Sequence, residues 1–170
     1  MKTSFQTNNG WAFSSIDLVG MCLLDRERSE AFDLAIRSIV RPRHTVLDAG
    51  TGSGLLALFA ARAGARRVVA MEFDPYIAAV ARSNIQRNGF EHVIEVVEAD
   101  ARNHQFAAGT HFDVVIAEML TTGCIDEYQV QAINNLHRQS SVGAKCADAV
   151  PTELTEISTP EAINIPRRWR

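Results

Sequence analysis

The stretch Val46-Leu-Asp-Ala-Gly-Thr-Gly-Ser-Gly54 decides how this chain folds, because it joins a short apolar run to a turn with glycine at alternate positions. Glycine permits a tight turn and a close approach of the backbone to a ligand, and the N-terminus of the helix that follows faces the same place. The spacing Gly-x-Gly-x-Gly differs from the Gly-x-Gly-x-x-Gly of dinucleotide-binding turns. Asp48 would repel a diphosphate there but can pair with an ammonium group, directly or through water. The pattern therefore favours a zwitterionic nucleoside over a dinucleotide as the ligand.

Apolar periodicity on both sides of this turn predicts alternating helices and strands. The predicted helices cover residues 25–40, 55–63, 74–88 and 124–137, and the predicted strands cover 44–48, 67–72, 92–98, 112–117 and 149–158. Strands that alternate with helices of about a dozen residues are typical of a parallel sheet with right-handed crossovers. We therefore expect an α/β fold, with a mostly parallel sheet and helices on both faces.

Acidic side chains follow three of the predicted strands, at the edge where such sheets bind their ligands. Glu72 closes the second strand and can accept hydrogen bonds from both hydroxyls of a ribose. Asp100, with Ala101 beside it, follows the third strand and can accept from an adenine amino group. Glu118 follows the fourth strand. The sequence therefore predicts a single crevice lined by the glycine turn and these carboxylates.

Composition limits the classes of function. The 170 residues have the length of one domain and a formal charge of −3, so no basic excess suggests nucleic-acid binding. Cys22, Cys124 and Cys146 are spaced for neither a disulfide framework nor a zinc site, and we expect no metal. No segment approaches the roughly 18 to 20 uninterrupted apolar residues of a membrane helix, and the N-terminus is a poor signal peptide. We expect a cytoplasmic protein with no membrane partner.

The ordered glycines and acidic residues at strand ends resemble the cofactor site of class I S-adenosylmethionine-dependent methyltransferases. The resemblance spans about residues 20–160 and implies the Rossmann-like fold of that class, with S-adenosyl-L-methionine as the cofactor. It divides the chain into an N-terminal cap segment at 1–24, a methyltransferase domain at 25–160 and a C-terminal tail at 161–170. The cofactor-binding residues implied within the domain are Asp48, Gly50, Gly52, Glu72, Asp100 and Ala101.

The loop after the fourth predicted strand narrows the resemblance. It carries Glu118 and Glu127, and it lacks the Asp/Asn-Pro-Pro-aromatic motif of amino-directed nucleic-acid methylases. It is similar to the double-glutamate loop of the protein arginine methyltransferases, nearest to their type 7 members. The segment Leu23-Leu-Asp-Arg-Glu-Arg28 resembles a helix start of that family whose arginine holds the carboxylate of the cofactor, a role that falls on Arg28. Other segments read the same way: 50–56, 61–65, 88–90 and 149–151.

The resemblance implies that Glu118 and Glu127 are the catalytic residues. Two carboxylates can grip a guanidinium by charge-assisted hydrogen bonds and localise its charge on one nitrogen, which leaves another nitrogen nucleophilic. Proximity and orientation would then supply much of the acceleration. The residues alone leave simpler interpretations open, because Glu127 fits a solvated first turn of a helix and Arg28 fits a surface ion pair.

Three functions are therefore compatible with the sequence. The first is a methyltransferase that acts on a guanidino nitrogen of a protein arginine or of a small guanidino substrate. The second keeps the cofactor site but methylates another small molecule, and the third is a non-catalytic cofactor-binding module or truncated paralogue. The β-barrel that follows the cofactor domain in the arginine methyltransferases has no counterpart among these residues. We expect an edge-type fifth strand at 149–158 that a second copy or a partner covers.

Overall fold

The computed structural model describes residues 16–119 and 128–140. These ranges contain five helices and four strands, and the helices are α1 (Ile16–Leu24), α2 (Arg26–Ile39), α3 (Leu55–Arg62), α4 (Pro75–Arg87) and α5 (Gln129–Ser140). The strands are β1 (Thr45–Ala49), β2 (Arg67–Glu72), β3 (Ile94–Glu98) and β4 (Val114–Ala117). The expected α/β architecture is confirmed. Within the ranges that the structure describes, no helix combines the length and the apolar character needed to cross a membrane.

All strand pairs are parallel, in the order β3-β2-β1-β4. Val46 of β1 pairs with Val68 on one side and with Val114 on the other. The chain therefore moves outward through β2 and β3 and then crosses back to the opposite side of β1. The carboxyl ends of β1 and β4 flank the point where the strand order reverses, which is where open α/β sheets bind ligands.

Two apolar cores lie on opposite faces of the sheet, as successive side chains of β1 and β2 alternate between them. Val46 and Val68 belong to the core that includes residues of α2, α3 and α4. Leu47 belongs to the core that includes residues of α5. Burial on both faces explains why these strands read as continuous apolar runs. The predicted sheet with helices on both faces is confirmed.

Local chemistry sets the helix boundaries. The Asp25 carboxylate accepts a hydrogen bond from the backbone amide of Arg28 and begins α2, and extended Val40 ends it. Asp74 caps α4 by accepting from the amides of Tyr76 and Ile77. Side-chain acceptors at such positions satisfy amides that have no partner within the helix.

The structure differs from the sequence prediction mainly at element ends. Strand β3 begins at Ile94 rather than at residue 92, because the chain first makes a turn in which Val93 donates to the carbonyl of Phe90. Strand β4 begins at Val114, and α5 covers Gln129–Ser140 rather than 124–137. Helix α1 was not predicted at all. The predicted strand at 149–158 and Glu127 lie outside the described residues.

Candidate functional site

A crevice of about 270 Å³ opens at the carboxyl edge of the sheet. Its walls come from α1 and α2, from the glycine turn after β1, from the segments that follow β2, β3 and β4, and from the start of α5. The structure brings seven of the residues predicted from sequence to this one crevice: Arg28, Gly50, Gly52, Glu72, Asp100, Ala101 and Glu118.

The glycine turn is held by main-chain hydrogen bonds to the end of β2. Gly50 and Thr51 both donate their amides to the carbonyl of Met71, at 2.9 Å. Gly50 has a φ of 75° and Gly52 a φ of 55°, which is the left-handed region that favours glycine. A Cβ at Gly50 would lie only 2.8 Å from the sulfur of Met119. Met119 therefore covers the turn, and the space that it fills exists because residue 50 is glycine.

Glu72 connects the end of β2 to the glycine turn. Its Oε2 accepts from the Gly52 amide at 3.0 Å, and its Oε1 accepts from the amides of Phe73 and Asp74 at 2.9 and 3.1 Å. Burial raises the pKa of this carboxyl, and the three amide hydrogen bonds act in the opposite direction. An ionised carboxylate offers about four lone-pair directions, so Glu72 retains acceptor capacity toward the crevice that it lines.

Asp48 lies beneath the turn and is not part of the crevice lining. It is 1% exposed, and its Oδ2 accepts a hydrogen bond from the Thr51 hydroxyl at 2.6 Å. Burial raises the pKa of Asp48 to about 6. The structure thus places Thr51 between Asp48 and the crevice, and pairing of Asp48 with an ammonium group stays a prediction.

Asp100 occupies the turn that follows β3. Arg102 binds both oxygens of its carboxylate, with Nη2 only 2.6 Å from Oδ2, and this ion pair holds the pKa of Asp100 below its usual range. The carbonyl of neighbouring Ala101 accepts at 2.9 Å from the side-chain amide of Asn135 on α5. The turn is therefore held by Arg102 from within and by Asn135 of α5 from outside.

Glu118 and Arg28 form an ion pair across the crevice, although they lie 90 residues apart in sequence. Their side chains are 25% and 16% exposed, so the pair is largely shielded from solvent. The Arg28 guanidinium also donates to the carbonyl of Cys22 at 3.3 Å and lies 5.1 Å from the centre of the Phe32 ring. Arg28 is therefore half of an ion pair, as the simpler interpretation expects, but the pair lines the crevice, and a role of Arg28 in holding the cofactor stays a prediction.

Six residues that shape the crevice were not predicted: Thr51, Arg102, Met119, Tyr128, Gln129 and Asn135. Gln129 is 5% exposed, and its side-chain oxygen accepts from the Met119 amide at 2.8 Å. Gln129 and Asn135 share a buried helix face with Ala132 and Leu136. Amide side chains within that otherwise apolar stripe were the available signal, because a buried amide requires a polar partner. Among residues 16–119 and 128–140, no three histidine, cysteine or acidic side chains group as metal ligands.

Comparison with known proteins shows the family to which the chain belongs. Residues 26–144 match the family described as ribosomal protein L11 methyltransferase (PrmA). An uncharacterised protein of Methanocaldococcus jannaschii is 44% identical over 114 residues, which cover 67% of this chain and 42% of that protein. An arginine N(omega)-methyltransferase of Streptomyces achromogenes subsp. streptozoticus is 40% identical over 107 residues, or 62% of this chain and 30% of the relative. The chain therefore spans less than half the length of both of these relatives.

A solved structure has the same architecture. The protein arginine methyltransferase 1 enzyme–prozyme complex of Trypanosoma brucei, with AdoHcy, is 27% identical and has a TM-score of 0.61 over 69% of this chain and 37% of that one. The family match covers residues 26–144, and the parallel sheet with its crevice at the carboxyl edge has the architecture expected of that family. The chain belongs to the PrmA family, within the class I S-adenosylmethionine-dependent methyltransferases.

Proposed function

We propose that this chain forms the cofactor-binding part of an S-adenosylmethionine-dependent methyltransferase that acts on a guanidino nitrogen. The observation that carries the proposal is Glu118, whose carboxylate binds the Arg28 guanidinium in the same crevice that gathers Glu72 and Asp100. A carboxylate placed to bind one guanidinium has the charge and geometry to bind another.

The residues of the crevice fit the cofactor. Glu72 retains acceptor capacity for ribose hydroxyls, and Gly52, whose missing side chain no neighbour replaces closely, lets a ligand approach the backbone. Asp100 and Ala101 would take the adenine edge, and Arg28 would take the carboxylate of the amino acid part. Asp48 would act on the ammonium end through the Thr51 turn. The bound cofactor supplies an electrophilic methyl group on a sulfonium.

Glu118 would orient the acceptor. Its carboxylate faces a guanidinium in the crevice, and Glu127 is the proposed second carboxylate. For Arg28 to hold the cofactor and for Glu118 to hold the acceptor, the contact between the two must be shared or exchanged when the ligands bind. The arginine N-methyltransferase relative and the arginine methyltransferase structure support a guanidino acceptor.

We also propose the domain limits: a cap segment at 1–24, a methyltransferase domain at 25–160 and a tail at 161–170. The family match at 26–144 falls within the central part. A cytoplasmic location and a second copy or partner against the sheet edge remain proposals. The enzyme–prozyme complex of Trypanosoma brucei is a heterotetramer, which supports assembly of this fold with other chains.

A small guanidino compound is the second candidate acceptor. The Streptomyces relative is named for arginine, and the Trypanosoma one for protein arginine. The test is transfer of a tritiated methyl group from the cofactor to each of three acceptors: free arginine, an arginine-rich peptide and a ribosomal protein fraction. The third acceptor represents the substrate in the family description, ribosomal protein L11. A protein that binds the cofactor but labels none of them would support a non-catalytic module.

The decisive variants are Glu118→Gln and a matched Glu95→Gln, which alters an exposed glutamate paired with Arg67 outside the crevice. We expect Glu118→Gln to reduce transfer to arginine by at least about 100-fold, because it removes a charge-assisted contact to the acceptor. Glu95→Gln should leave transfer unchanged. If Glu118→Gln methylates arginine at the normal rate, Glu118 does not orient a guanidinium and the acceptor proposal is wrong.

Calorimetric titration with S-adenosylmethionine tests the cofactor separately. We expect binding that weakens in Glu72→Ala, because the ribose would lose its acceptor. Absence of binding at high protein concentration would overturn the cofactor proposal whatever the acceptor.

A further inference from the structure

The Asp100 carboxylate is held in one orientation by Arg102. The Nε of Arg102 lies 2.9 Å from Oδ1 and 2.8 Å from Oδ2, and its Nη2 lies 2.6 Å from Oδ2. The backbone amide of Arg102 adds a fourth contact, to Oδ1 at 2.9 Å. Paired contacts between a guanidinium and a carboxylate fix the plane of the carboxylate as well as its position.

Arg102 is itself held by Tyr128. The guanidinium carbon lies 4.1 Å from the centre of the Tyr128 ring, a distance at which a cation is attracted to the face of an aromatic ring. Tyr128 directly precedes α5, whose first residue, Gln129, binds the backbone of Met119. All three members of the stack, Asp100, Arg102 and Tyr128, line the crevice. The orientation of Asp100 therefore depends on a contact between the β3 turn and the start of α5.

We propose that Arg102, supported by Tyr128, is a positioning residue that makes Asp100 select a 6-amino purine over a 6-oxo purine. The inference rests on the proposed function, in which Asp100 faces the adenine edge of the cofactor. An ionised carboxylate can only accept hydrogen bonds, so it favours the amino group of adenine and repels the carbonyl oxygen of hypoxanthine. That discrimination requires a fixed lone-pair direction, and Arg102 provides it by occupying the other directions.

A purely structural role makes a different prediction. The side chains of Arg102 and Asp100 are 34% and 23% exposed, and partly exposed ion pairs contribute little to the free energy of folding. If the ion pair only stiffens the turn, its removal should weaken the binding of both purine ligands equally. If the ion pair orients the Asp100 carboxylate, its removal should change the ratio between the two affinities.

The experiment measures the dissociation constants of S-adenosylhomocysteine and S-inosylhomocysteine with the 170-residue chain by calorimetry. Wild-type protein should prefer the adenine ligand by about 10- to 100-fold, the range for one hydrogen bond to a charged group. In Arg102→Met the preference should fall to within about threefold of equality. Arg102→Lys, which keeps the charge but not the paired contacts, should lie between them.

Tyr128 and a matched arginine complete the series. Tyr128→Phe keeps the ring and should keep the preference, whereas Tyr128→Leu should reduce it as Arg102→Lys does. Arg82→Met removes a similar arginine that pairs with Glu98 outside the crevice, and it should retain the wild-type ratio. Thermal unfolding of every variant serves as the control for folding.

The outcomes separate this inference from the proposed function. If wild-type protein binds S-adenosylhomocysteine but Arg102→Met keeps the full adenine preference, Arg102 has no positioning role and the cofactor proposal still stands. Equal wild-type affinity for the two ligands also overturns the inference alone. Failure of wild-type protein to bind either ligand overturns both.

Discussion

Asp48 is the most deeply buried of the acidic side chains around the crevice, and its carboxylate faces the Thr51 hydroxyl rather than solvent. Burial disfavours the charged form of a carboxyl group, and the hydrogen bonds that Asp48 accepts compensate only in part. The result is a carboxyl group with a pKa of about 6, compared with an ordinary value of 3.8. Asp48 therefore links the conformation of the glycine turn to pH.

The first prediction is that stability falls as the pH rises from about 4 to about 6 because of Asp48. The folded protein keeps the proton up to a higher pH than the unfolded chain does, so the unfolded state gains relative stability across this interval. Asp48→Asn removes this titration and can still accept from Thr51. We expect the difference in unfolding free energy between wild type and Asp48→Asn to change by about 3 kcal/mol across the interval.

Urea denaturation at a series of pH values measures this difference. Thr51→Val is a useful second variant, because the Thr51 hydrogen bond lowers the pKa of Asp48 and its loss should move the transition to higher pH. A difference between wild type and Asp48→Asn that does not vary with pH would show that Asp48 titrates normally.

At the scale of elements, the glycine turn and the segment after β4 are fitted to each other. The turn exposes backbone at Gly50, and the Met119 side chain occupies the space that a Cβ would need. Gln129 at the start of α5 fixes the backbone of Met119. Because of this close fit, we expect a substitution at Gly50 to depend on the side chain at position 119.

The second prediction compares two glycines with nearly the same backbone conformation. Gly50 has a φ of 75° and Gly89 a φ of 76°, but only Gly50 has a neighbour within 4 Å of an added Cβ. Gly89→Ala should cost about 1 kcal/mol of unfolding free energy from its left-handed conformation. Gly50→Ala should cost about 1–3 kcal/mol more, because the new Cβ meets the sulfur of Met119.

The double variant Gly50→Ala/Met119→Ala separates the two contributions. Relative to Met119→Ala alone, the added alanine should then cost no more than Gly89→Ala does. If Gly50→Ala and Gly89→Ala are equally destabilising in the wild-type background, Met119 does not restrict the turn.

The third prediction concerns the cap of α4, where the Asp74 carboxylate is 5% exposed and accepts from two backbone amides. Asp74→Ala should lower the unfolding free energy by about 1 kcal/mol or somewhat more, and Asp74→Ser should recover most of it. Chemical denaturation measures both variants. Equal losses in Ala and Ser would mean that the capping hydrogen bonds contribute little.

At the scale of the whole molecule, the crevice exists because the parallel sheet brings the ends of distant strands to one edge. Helix α5 completes it from the opposite face, where Asn135 reaches the β3 turn and Gln129 reaches the segment after β4. Arg28 and Glu118 join α2 to the segment after β4 through an ion pair in the crevice wall. Stability and ligand affinity should therefore be coupled through α5.

The fourth prediction tests this coupling with two adjacent asparagines. Asn135 is 4% exposed and donates to the carbonyls of Ala101 and His104, whereas Asn134 is exposed. Asn135→Ala leaves two carbonyl groups without this donor, so we expect a loss of about 1–3 kcal/mol of unfolding free energy and weaker binding of S-adenosylhomocysteine. Asn134→Ala should change stability by no more than about 0.5 kcal/mol.

Denaturation and calorimetry on the same pair of variants provide the measurement. A destabilised Asn135→Ala protein that binds the ligand with unchanged affinity would show that α5 supports the fold but not the crevice.

Much of the fold was predictable because its signals are local. Closely spaced glycines at positions 50 and 52 favour a turn with left-handed residues, and Asp74 followed by Pro75 indicates a helix start. Strand β2 has the predicted bounds, Arg67–Glu72, with a charged residue at each end of the apolar run. Helix α1 escaped prediction because its sequence is apolar nearly all round, so it has little of the periodicity that distinguishes a helix.

The sequence by itself determined the α/β class, the glycine turn and the carboxylates at the strand ends, since these follow from residue type and spacing. Only the tertiary structure decided that Glu118 binds Arg28, that Met119 fills the space above Gly50 and that Asn135 holds Ala101. Those contacts join residues 34 to 90 positions apart, and the register of the parallel strands sets their distances. Spacing along the chain carries no information about such distances, because they depend on which strands lie side by side.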